Sequence, residues 1–500
     1  MGKKLFKHTI LFLGLLSALK IFSSSVPPEK GVAFPSPELL RLDPGKDASA
    51  WNSGFTAVYQ TLLKNLHLPS GFFKTRYAYP SPIFRGVYLW DSAFIAQVWK
   101  PWDVKTAEDV LKAVLDNAAP DGRLKHFVSP YDKSGYTQPP VIAWSVWELY
   151  QWSKDKEFLA YAYPILKNYQ LWLSANRGFE NGLYFWAHSY ESGIDNSPRF
   201  SSADEKIKRD LSSIAPVDIN SYVYSQNLLL AKMAEVLGKT QEAQAFQKNA
   251  DTLARLINEK LWDPETGLYY DRDLKTDQLL KIKTIASLLP LFAGIPDQDQ
   301  AKKLRDHIMN PAEFNTYFPL PSVSRDDPSF EKDCWRGPVW INTAYMVLKG
   351  LKNYGYDAEA SELAYRIVER VYANYQLTGK LVEFYDPDQD GFKDLHRKRG
   401  NLYKLITLGD KPQANFVGWT GLVNTLLIEE LVGFKKQEDK RILAPEFPTL
   451  AKGLSLKLTI PSENLTIEIQ VLDDASARGK IISENKPREF LVSPGTKIEF

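Results

Sequence analysis

The stretch PVWINTAYMVLKGLKNYGYDAEASELAYRIVERVYANY, residues 338–375, contains two helical patterns separated by a short turn at residues 353–356. In the first pattern apolar residues lie on nearly every side, which is typical of a helix buried all round. In the second, apolar residues recur at spacings of three and four and leave one polar face. This hairpin predicts an inner helix covered by an outer one.

The same kind of pattern continues along most of the chain. We predict twelve helices, at approximately 47–67, 90–99, 104–118, 139–153, 155–177, 218–238, 240–261, 283–293, 297–309, 338–354, 356–377 and 417–434. Twelve successive helices make six hairpins, so the predicted fold is mainly α, an (α/α)6 toroid around a central cavity. Long aromatic loops rich in Gly and Pro lie between the helices, at 68–89, 178–217, 311–337 and 378–416. Loops of this length in a compact domain are usually functional.

Both ends of the chain depart from the helical pattern. From about residue 450, apolar residues alternate with polar ones in several short runs, which predicts a small C-terminal β module. At the other end, lysines precede an apolar run at 10–19, and Ser23 to Ser25 follow it, as in a secretory signal peptide. The apolar run is about half the roughly 20 residues that span a bilayer. We therefore predict a signal peptide at 1–25, a barrel at 26–445 and a β module at 446–500.

This layout predicts export to the periplasm or the medium, with no stable membrane insertion after cleavage.

The composition argues against some classes of function. The chain has 62 Lys and Arg and 60 Asp and Glu, so its formal charge is only +2, and no long basic run is present. Nucleic-acid binding is therefore not indicated. The single cysteine, Cys334, allows neither an intramolecular disulfide nor a multi-cysteine zinc site. No cofactor requirement is predicted, and the sequence does not define an oligomeric state.

Three acidic residues lie in unusually aromatic and Gly-rich surroundings. They are Asp91 in FRGVYLWDSAF (84–94), Asp195 in HSYESGIDNSPRF (188–200) and Glu383 in GKLVEFYDPDQDG (379–391). Each has an ordinary structural explanation, with Asp91 as a helix N-cap, Asp195 as a loop or N-cap acid, and Glu383 as a surface residue. On spacing alone these explanations are favoured over catalysis, since many carboxylates in loops are not part of an active site.

The motifs around these acids resemble those of glycoside hydrolase family 63. Six motifs follow one another in the order of that family: YLWDSAF (88–94), TQPPVIAWSVWEL (137–149), ESGIDNSPRF (191–200), CWRGPVWINTAY (334–345), EFYDPDQDG (383–391) and NFVGWTGLV (415–423). The family includes processing α-glucosidase I, bacterial α-glucosidases and mannosylglycerate hydrolase, and its fold is similar to that of trehalases and glucoamylases. The resemblance implies an (α/α)6 barrel, which agrees with the helix count.

The resemblance also implies an inverting, exo-acting hydrolase of α-linked glucosides or α-mannosides. Asp195 falls on the family's general acid, Glu383 on its general base, and Asp91 on the residue that accepts hydrogen bonds from the terminal sugar. In an inverting enzyme the two catalytic carboxyl groups stand roughly 6.5–9.5 Å apart. Further motif positions are implied to line the same pocket: Trp90, Gln138, Arg199, Trp335, Arg336, Trp340 and Trp419. For Arg336, bracing a carboxylate from beneath is an alternative.

Several nearby residues keep two interpretations. Glu191 either helps to keep Asp195 protonated through repulsion or braces its own loop by hydrogen bonds. The basic residues between 396 and 411 either hold an acidic aglycone such as glycerate or form a solvated loop.

The acidic residues after Glu383, the implied general base, resemble part of a metal-binding loop. Asp386, Asp388 and Asp390 reproduce the opening of a calcium-binding loop. An EF-hand is disfavoured, because Arg397 stands where the bidentate glutamate would be. A structural Ca²⁺ is therefore a weaker hypothesis than a plain Asp/Gly turn.

Three other functions compete with the hydrolase interpretation. A trehalase resembles the chain at ESG and at the Trp-Asp pair, but its Pro-Gly-Gly signature is not found here. A sugar epimerase on the same barrel relies on paired histidines, which these motifs lack. A glycan-binding protein without activity is favoured only if Asp195 or Glu383 proves dispensable. The substrate is expected to be an oligosaccharide or glycoside, but the motifs do not define its sugar, linkage or aglycone.

Overall fold

The computed structural model of the chain describes residues 48–131, 133–200, 211–399, 402–437 and 440–500. The signal peptide expected at 1–25 lies outside these ranges and stays a prediction. No helix within the described ranges is both long and apolar enough to cross a membrane.

The helices occupy the positions that the apolar periodicity predicts. In chain order they are α1 (Ala48–Lys64), α2 (Leu89–Trp99), α3 (Val104–Leu115), α4 (Ile142–Ser153), α5 (Lys156–Arg177), α6 (Ser189–Ser192), α7 (Val217–Val236), α8 (Thr240–Lys260), α9 (Leu289–Ala293), α10 (Gln298–Met309), α11 (Ile341–Asn353), α12 (Asp357–Thr378), α13 (Leu402–Leu408) and α14 (Leu422–Thr425). The short helices α6 and α13 lie in long loops. A 3₁₀ turn at Ile285–Leu288 precedes α9, and a π-helical segment at Leu426–Leu431 continues α14.

The long helices form two concentric rings. The inner ring consists of α2, α4, α7, α9, α11 and α14, each in contact with the next, and α14 contacts α2 so that the ring closes. Every residue of α2 is buried, whereas the outer helix α8 buries mainly one face. Outer and inner helices alternate along the chain, which confirms the mainly α, (α/α)6 architecture.

The hairpin at 338–375 forms as predicted, with a later start. Gly355 in its turn has a φ of +80°, a conformation that costs glycine little. Helix α11 begins at Ile341, because Val339 before it is extended and its backbone N–H donates to the Tyr385 carbonyl at 2.9 Å. This bridge joins the start of α11 to the loop that carries Glu383.

Short strands tie the loops of the barrel together. They are β1 (Leu66–His67), β2 (Tyr77–Ala78), β3 (Val87–Tyr88), β4 (Phe127–Val128), β5 (Ile214–Ala215), β6 (Trp262–Asp263), β7 (Leu268–Tyr269), β8 (Asp271–Asp273) and β9 (Gln278–Leu280). The pairs β1–β2, β3–β4 and β6–β7 and the set β5–β8–β9 are antiparallel.

The C-terminal β module contains two antiparallel sheets. Their strands are β10 (Phe434–Gln437), β11 (Lys440–Leu443), β12 (Ser455–Ile460), β13 (Leu465–Val471), β14 (Ala477–Ser483), β15 (Lys486–Val492) and β16 (Ile498–Glu499). Strands β12 to β15 form a meander in chain order, and β11 lies between β10 and β16. The sequence pattern missed β14, because Arg478, Gly479 and Lys480 interrupt its alternation. Strand β10 also begins before the expected boundary at 446, since two four-residue strands carry too little periodicity to be recognised.

The two ends of the inner helices face different surroundings. The N-terminal ends of α2, α11 and α14 border one cavity together with the long loops. Near the C-terminal ends, the β module packs on the barrel, where the Ser462 backbone N–H donates to the Pro101 carbonyl at 3.2 Å and the Trp152 indole N–H to the Ser462 hydroxyl at 3.3 Å. The β module therefore lies away from the first cavity.

Candidate active site

The cavity at the N-terminal ends of the inner helices has a volume of about 420 Å³. Eight of the ten residues that the sequence motifs assign to the site line it: Trp90, Asp91, Gln138, Asp195, Trp335, Trp340, Glu383 and Trp419. These residues come from six separate loops or helix starts. The fold therefore brings the two proposed catalytic carboxyl groups to one cavity from positions 188 residues apart in the sequence.

Tryptophan rings form much of the cavity wall. Trp335 and Trp340 stack with ring centroids 3.7 Å apart and nearly parallel planes. Trp419 lies 5.3 Å from Trp340 and 5.6 Å from Trp90, measured between ring centroids. All four rings are buried, so they act as core packing and as an apolar wall at once.

Asp195 lies in a tight turn between α6 and a 3₁₀ turn at Pro198–Phe200. The turn passes very close to Trp90, since a Cβ atom on Gly193 would lie 2.5 Å from that ring, and Gly193 has a φ of +72°. Asn196 fixes the turn to the start of the α11 region. Its amide donates to the Asp333 carboxylate at 3.0 Å, and its side-chain oxygen accepts from the Trp335 backbone N–H at 2.9 Å.

The Asp195 carboxylate pairs with the ammonium of Lys404, which lies on α13. Burial alone would lower the pKa of Lys404, but the charge of Asp195 and their hydrogen bond raise that pKa above its ordinary value. Lys404 also lies over the Tyr190 ring, 5.7 Å from its centroid. Asp195 is therefore bordered by a cation and an aromatic ring on the side of α13.

Glu383 is held from several directions. Its carboxylate accepts hydrogen bonds from both terminal nitrogens of Arg397, one of them at 3.4 Å, and from the Gln413 backbone N–H at 3.3 Å. Its backbone carbonyl accepts from the Trp419 indole N–H at 2.7 Å. Glu383 and Arg397 are both buried, so the alternative interpretation of Glu383 as a surface residue is wrong.

Asp91 lies inside the first turn of α2 and not at its N-cap position, which Tyr88 occupies. Burial raises the pKa of Asp91 to about 8. Its own backbone amide opposes this shift, the charge of Glu383 adds to it, and Lys404 opposes it. Close by, a Cβ atom on Gly418 would lie 2.6 Å from an Asp91 carboxyl oxygen. Asp91 is thus a carboxyl group that takes up a proton unusually readily.

Gln138 and Glu191 occupy neighbouring positions with different roles. The Gln138 side-chain oxygen accepts from the Trp90 backbone N–H at 3.3 Å, and Gln138 borders the cavity. Glu191 is fully buried and accepts from Arg177 at 2.6 and 2.8 Å and from the Ala187 N–H at 3.0 Å. These contacts favour the loop-bracing interpretation of Glu191.

Two arginines do not line the cavity as the motifs implied. Arg199 is buried in an ion-pair network with Asp218 at 2.5 Å and Asp271 at 2.8 Å. Arg336 bonds to the Glu331 carboxylate at 3.2 Å and the Asn196 carbonyl at 3.5 Å, so it braces the loops from behind the cavity. In both cases contacts outside the cavity hold the guanidinium away from it.

The acidic residues after Glu383 are matched by nearby cations. Lys332 contacts Asp386 at 2.7 Å and Asp388 at 3.0 Å, and Arg370 contacts Asp390 at 3.2 Å. Among the residues that the structure describes, no group of three or more His, Cys, Asp or Glu side chains is arranged to hold a metal. The calcium hypothesis therefore gains no support from this loop.

Sequence reasoning missed His126, Tyr136 and Tyr190 as residues that border the cavity, and it considered Arg397 and Lys404 only as part of the basic stretch. Burial lowers the pKa of His126 to about 4, so this imidazole is neutral at pH 7. Arg397 and Lys404 belong to the basic stretch that has two interpretations, an aglycone site or a solvated loop. The signal in the sequence was that this basic stretch lies in the same long loop, 378–416, as Glu383, the proposed general base.

Cys334 also borders the cavity without a catalytic role. Burial raises the pKa of its thiol to about 12, so it stays protonated and a poor nucleophile at neutral pH.

Arg397 is expected to act as a positioning residue for Glu383. Replacing Arg397 by Met leaves a buried carboxylate unpaired, which should destabilise the fold by roughly 3–5 kcal/mol and lower kcat, with little change in KM. Arg397→Lys should recover part of kcat, because an ammonium restores the charge but not both hydrogen bonds. Steady-state kinetics and denaturant unfolding of both variants test this. An increase in KM alone would instead make Arg397 a substrate-binding residue.

Known proteins are similar to this chain in sequence and in fold. The model of the mannosylglycerate hydrolase MGH1-like glycoside hydrolase domain matches residues 85–403. A mannosylglycerate hydrolase from Thermus thermophilus is 31% identical over 375 residues, covering 60% of this chain and 88% of that protein. A periplasmic trehalase from Escherichia coli is 25% identical over 422 residues, covering 72% of this chain and 69% of that protein.

A solved structure extends the likeness to three dimensions. The GH63 mannosylglycerate hydrolase from Thermus thermophilus, in complex with Tris and D-glycerate, has a TM-score of 0.61 at 27% identity. The match covers 74% of this chain and 99% of that one. The region matched by the family model contains Asp91, Asp195 and Glu383. The chain therefore belongs to the mannosylglycerate hydrolase MGH1-like family of glycoside hydrolases, within glycoside hydrolase family 63.

Proposed function

We propose that this glycoside hydrolase is exo-acting and inverting, and that it removes one α-linked glucosyl or mannosyl unit by general acid/base catalysis. The observation that carries the proposal is that Asp195 and Glu383 border one tryptophan-walled cavity. Two carboxyl groups beside an apolar sugar platform are the requirement for breaking a glycosidic bond.

Each carboxyl group has a distinct task in this mechanism. Asp195 donates a proton to the oxygen that leaves with the aglycone, and Glu383 takes a proton from a water molecule. The water attacks the anomeric carbon from the face opposite the leaving group, so an α-glycoside yields a β-sugar. Asp91 accepts hydrogen bonds from hydroxyl groups of the terminal sugar, and Gln138 and the indoles border the same unit.

The Lys404 ammonium has to leave Asp195 before catalysis. A neutral carboxyl group that is ready to donate its proton no longer attracts a cation as a carboxylate does. We place the aglycone on this side of Asp195, where the Lys404 ammonium can contact it once the ammonium no longer pairs with Asp195. This geometry supports an acidic aglycone such as glycerate, one of the two interpretations of the basic stretch.

The size of the cavity supports exo action. Its volume of about 420 Å³ lies toward the lower end of the roughly 300–1,000 Å³ typical of ligand pockets. Such a volume suits one sugar unit and a small aglycone better than an internal segment of a polysaccharide.

A trehalase is the second candidate, because the Escherichia coli relative is a periplasmic trehalase. Trehalose also has an α-linked glucosyl unit, so the same two carboxyl groups would serve. Only the group on the leaving side distinguishes the two functions.

A substrate panel tests the proposal. The purified chain should release free glucose or mannose from at least one of kojibiose, nigerose, trehalose and mannosylglycerate, as measured by anion-exchange chromatography. Asp195→Asn is the matched control and should release almost none. If the unmodified enzyme released no glucose or mannose from any of these substrates, the proposed substrate class would be contradicted.

We also propose that the protein is exported. The support is the layout of residues 1–25 and the likeness to a periplasmic trehalase from Escherichia coli. N-terminal sequencing of the exported chain should begin near Val26, and an intact Met1 on a cytoplasmic chain would contradict this.

A further inference from the structure

A second cavity, of about 660 Å³, lies at the opposite end of the barrel. The C-terminal ends of α2, α4 and α11 border it on one side, and strands β10 and β11 border it on the other. Its charged lining comprises six lysines and four acids: Lys100, Lys349, Lys352, Lys435, Lys436, Lys497, Glu148, Asp357, Glu429 and Glu446. No residue assigned to the active site belongs to this lining.

Two buried glutamates at the end of the inner ring hold three of these lysines. Glu429 contacts Lys100 at 2.8 Å, and Glu430, fully buried behind the lining, contacts Lys349 at 3.2 Å and Lys352 at 2.6 Å. The negative ends of the inner helices also attract these cations. Pairing with buried glutamates therefore explains why these three lysines lie here.

Lys435 is different, because it comes from strand β10 and its ammonium has no ion-pair or hydrogen-bond partner among the residues that the structure describes. The charge of Glu430 favours its ammonium. Burial and the charges of Lys349 and Lys352 outweigh that attraction, and they lower the pKa of Lys435. The ammonium is thus half-buried in a region where positive charge is in excess.

We propose that this cavity binds a phosphate group, either free or as the ester of a small sugar. A phosphate dianion beside Lys435 would accept a hydrogen bond from its ammonium and reduce the repulsion between Lys435 and Lys349. Lysine is a common point-charge ligand for phosphate. The rings of Trp147 and Trp152 border the same space and offer an apolar surface to a sugar attached to the phosphate.

The phosphate site is separate from the proposed catalytic site. Helix α2 connects the two cavities, with Trp90 and Asp91 at its start and Lys100 just after its end. At 1.5 Å per residue, its 11 residues separate the sites by about 16 Å. A ligand at Lys435 would therefore not touch Asp195 or Glu383, and its binding does not depend on the proposed hydrolase activity.

Thermal melting of the full chain in phosphate tests the site. Inorganic phosphate should raise the Tm of the unmodified protein in a saturable way, beyond the effect of chloride at equal ionic strength. Lys435→Met should bind phosphate about tenfold more weakly or worse, since a hydrogen bond to a charged group is lost. Lys457→Met is the matched control, because Lys457 lies on strand β12 and does not line this cavity. This variant should keep the full Tm shift.

Chemical labelling gives an independent readout. Because its pKa is lowered, Lys435 should react with acetic anhydride at pH 8 faster than Lys457, and phosphate should protect Lys435 selectively. Glucose 6-phosphate in place of inorganic phosphate separates the two sources. Tighter binding of the ester identifies a sugar phosphate, and equal binding identifies free phosphate. Equal Tm shifts in chloride, an unchanged shift in Lys435→Met, or labelling that phosphate does not affect would each overturn the proposal.

Discussion

Asp195→Asn and Glu383→Gln are each expected to lower kcat by roughly 10²- to 10⁴-fold, the usual contribution of a general acid or base. The amide in Asp195→Asn cannot donate a proton to the leaving oxygen as a carboxylic acid does. The amide in Glu383→Gln cannot take a proton from the attacking water. Both replacements preserve side-chain size, so the Trp-lined cavity should stay intact.

Rates of hexose release and melting temperatures of each variant, compared with the unmodified enzyme, check this result. Asp388→Asn is a suitable control, because Asp388 lies in the same loop as Glu383 but pairs with Lys332 outside the cavity. If both active-site variants hydrolyse substrate at the normal rate, a glycan-binding or different catalytic role would replace the proposed one.

Asp91→Asn is expected to stabilise the fold while weakening activity. An unfolded Asp ionises near its ordinary pKa of 3.8, whereas Asp91 in the folded chain ionises near 8. Between these values the folded state holds a proton that the unfolded state has lost, so the stability of the protein falls as the pH rises from about 4 to about 8. Above pH 8 the cost is constant, on the order of 5 kcal/mol.

Asparagine cannot ionise, so Asp91→Asn removes this pH-dependent cost. The difference in unfolding free energy between variant and unmodified protein should therefore widen from pH 4 to pH 8 and then level off. Denaturant unfolding at pH 4.5, 6.5 and 8.5 measures it, with Asp388→Asn as the control for an Asp outside the cavity. A difference that does not change with pH would contradict the raised pKa.

Above pH 8, where Asp91 is ionised, the activity of Asp91→Asn should fall below that of the unmodified enzyme, because the amide offers one acceptor where the carboxylate offers two. Losing one hydrogen bond to a charged group costs about 1.5–3 kcal/mol, or roughly 10- to 150-fold in kcat/KM. Asp91 would then lower the stability of the fold while supporting substrate binding, a combination that is common at functional sites.

The sequence was sufficient for the rings of helices and for eight of the residues that meet in the cavity. Apolar periodicity located α2 and α11, because helices buried all round leave a strong local signal. The family resemblance implied that Asp195 and Glu383 belong to one site, and both border the same cavity. The distance between their carboxyl groups and the inverting mechanism stay predictions. Fold and family were thus accessible from local pattern and motif order.

What the sequence could not give was the direction of long charged side chains. Arg199 lies in an acid-motif position, yet Asp271, 72 residues later, draws its guanidinium away from the cavity. Arg397 and Lys404 belong to the basic stretch that the sequence left as either an aglycone site or a solvated loop, yet they pair with Glu383 and Asp195. These partners are set by tertiary packing, which neither spacing nor composition encodes.

The most direct test of the central claim is the anomer that the enzyme releases first. Proton NMR of a substrate found in the panel, recorded in the first minutes before mutarotation, distinguishes α- from β-hexose. We predict that β-hexose appears first, because water activated by Glu383 attacks opposite the bond that Asp195 protonates. Release of α-hexose first would contradict the roles assigned to Asp195 and Glu383.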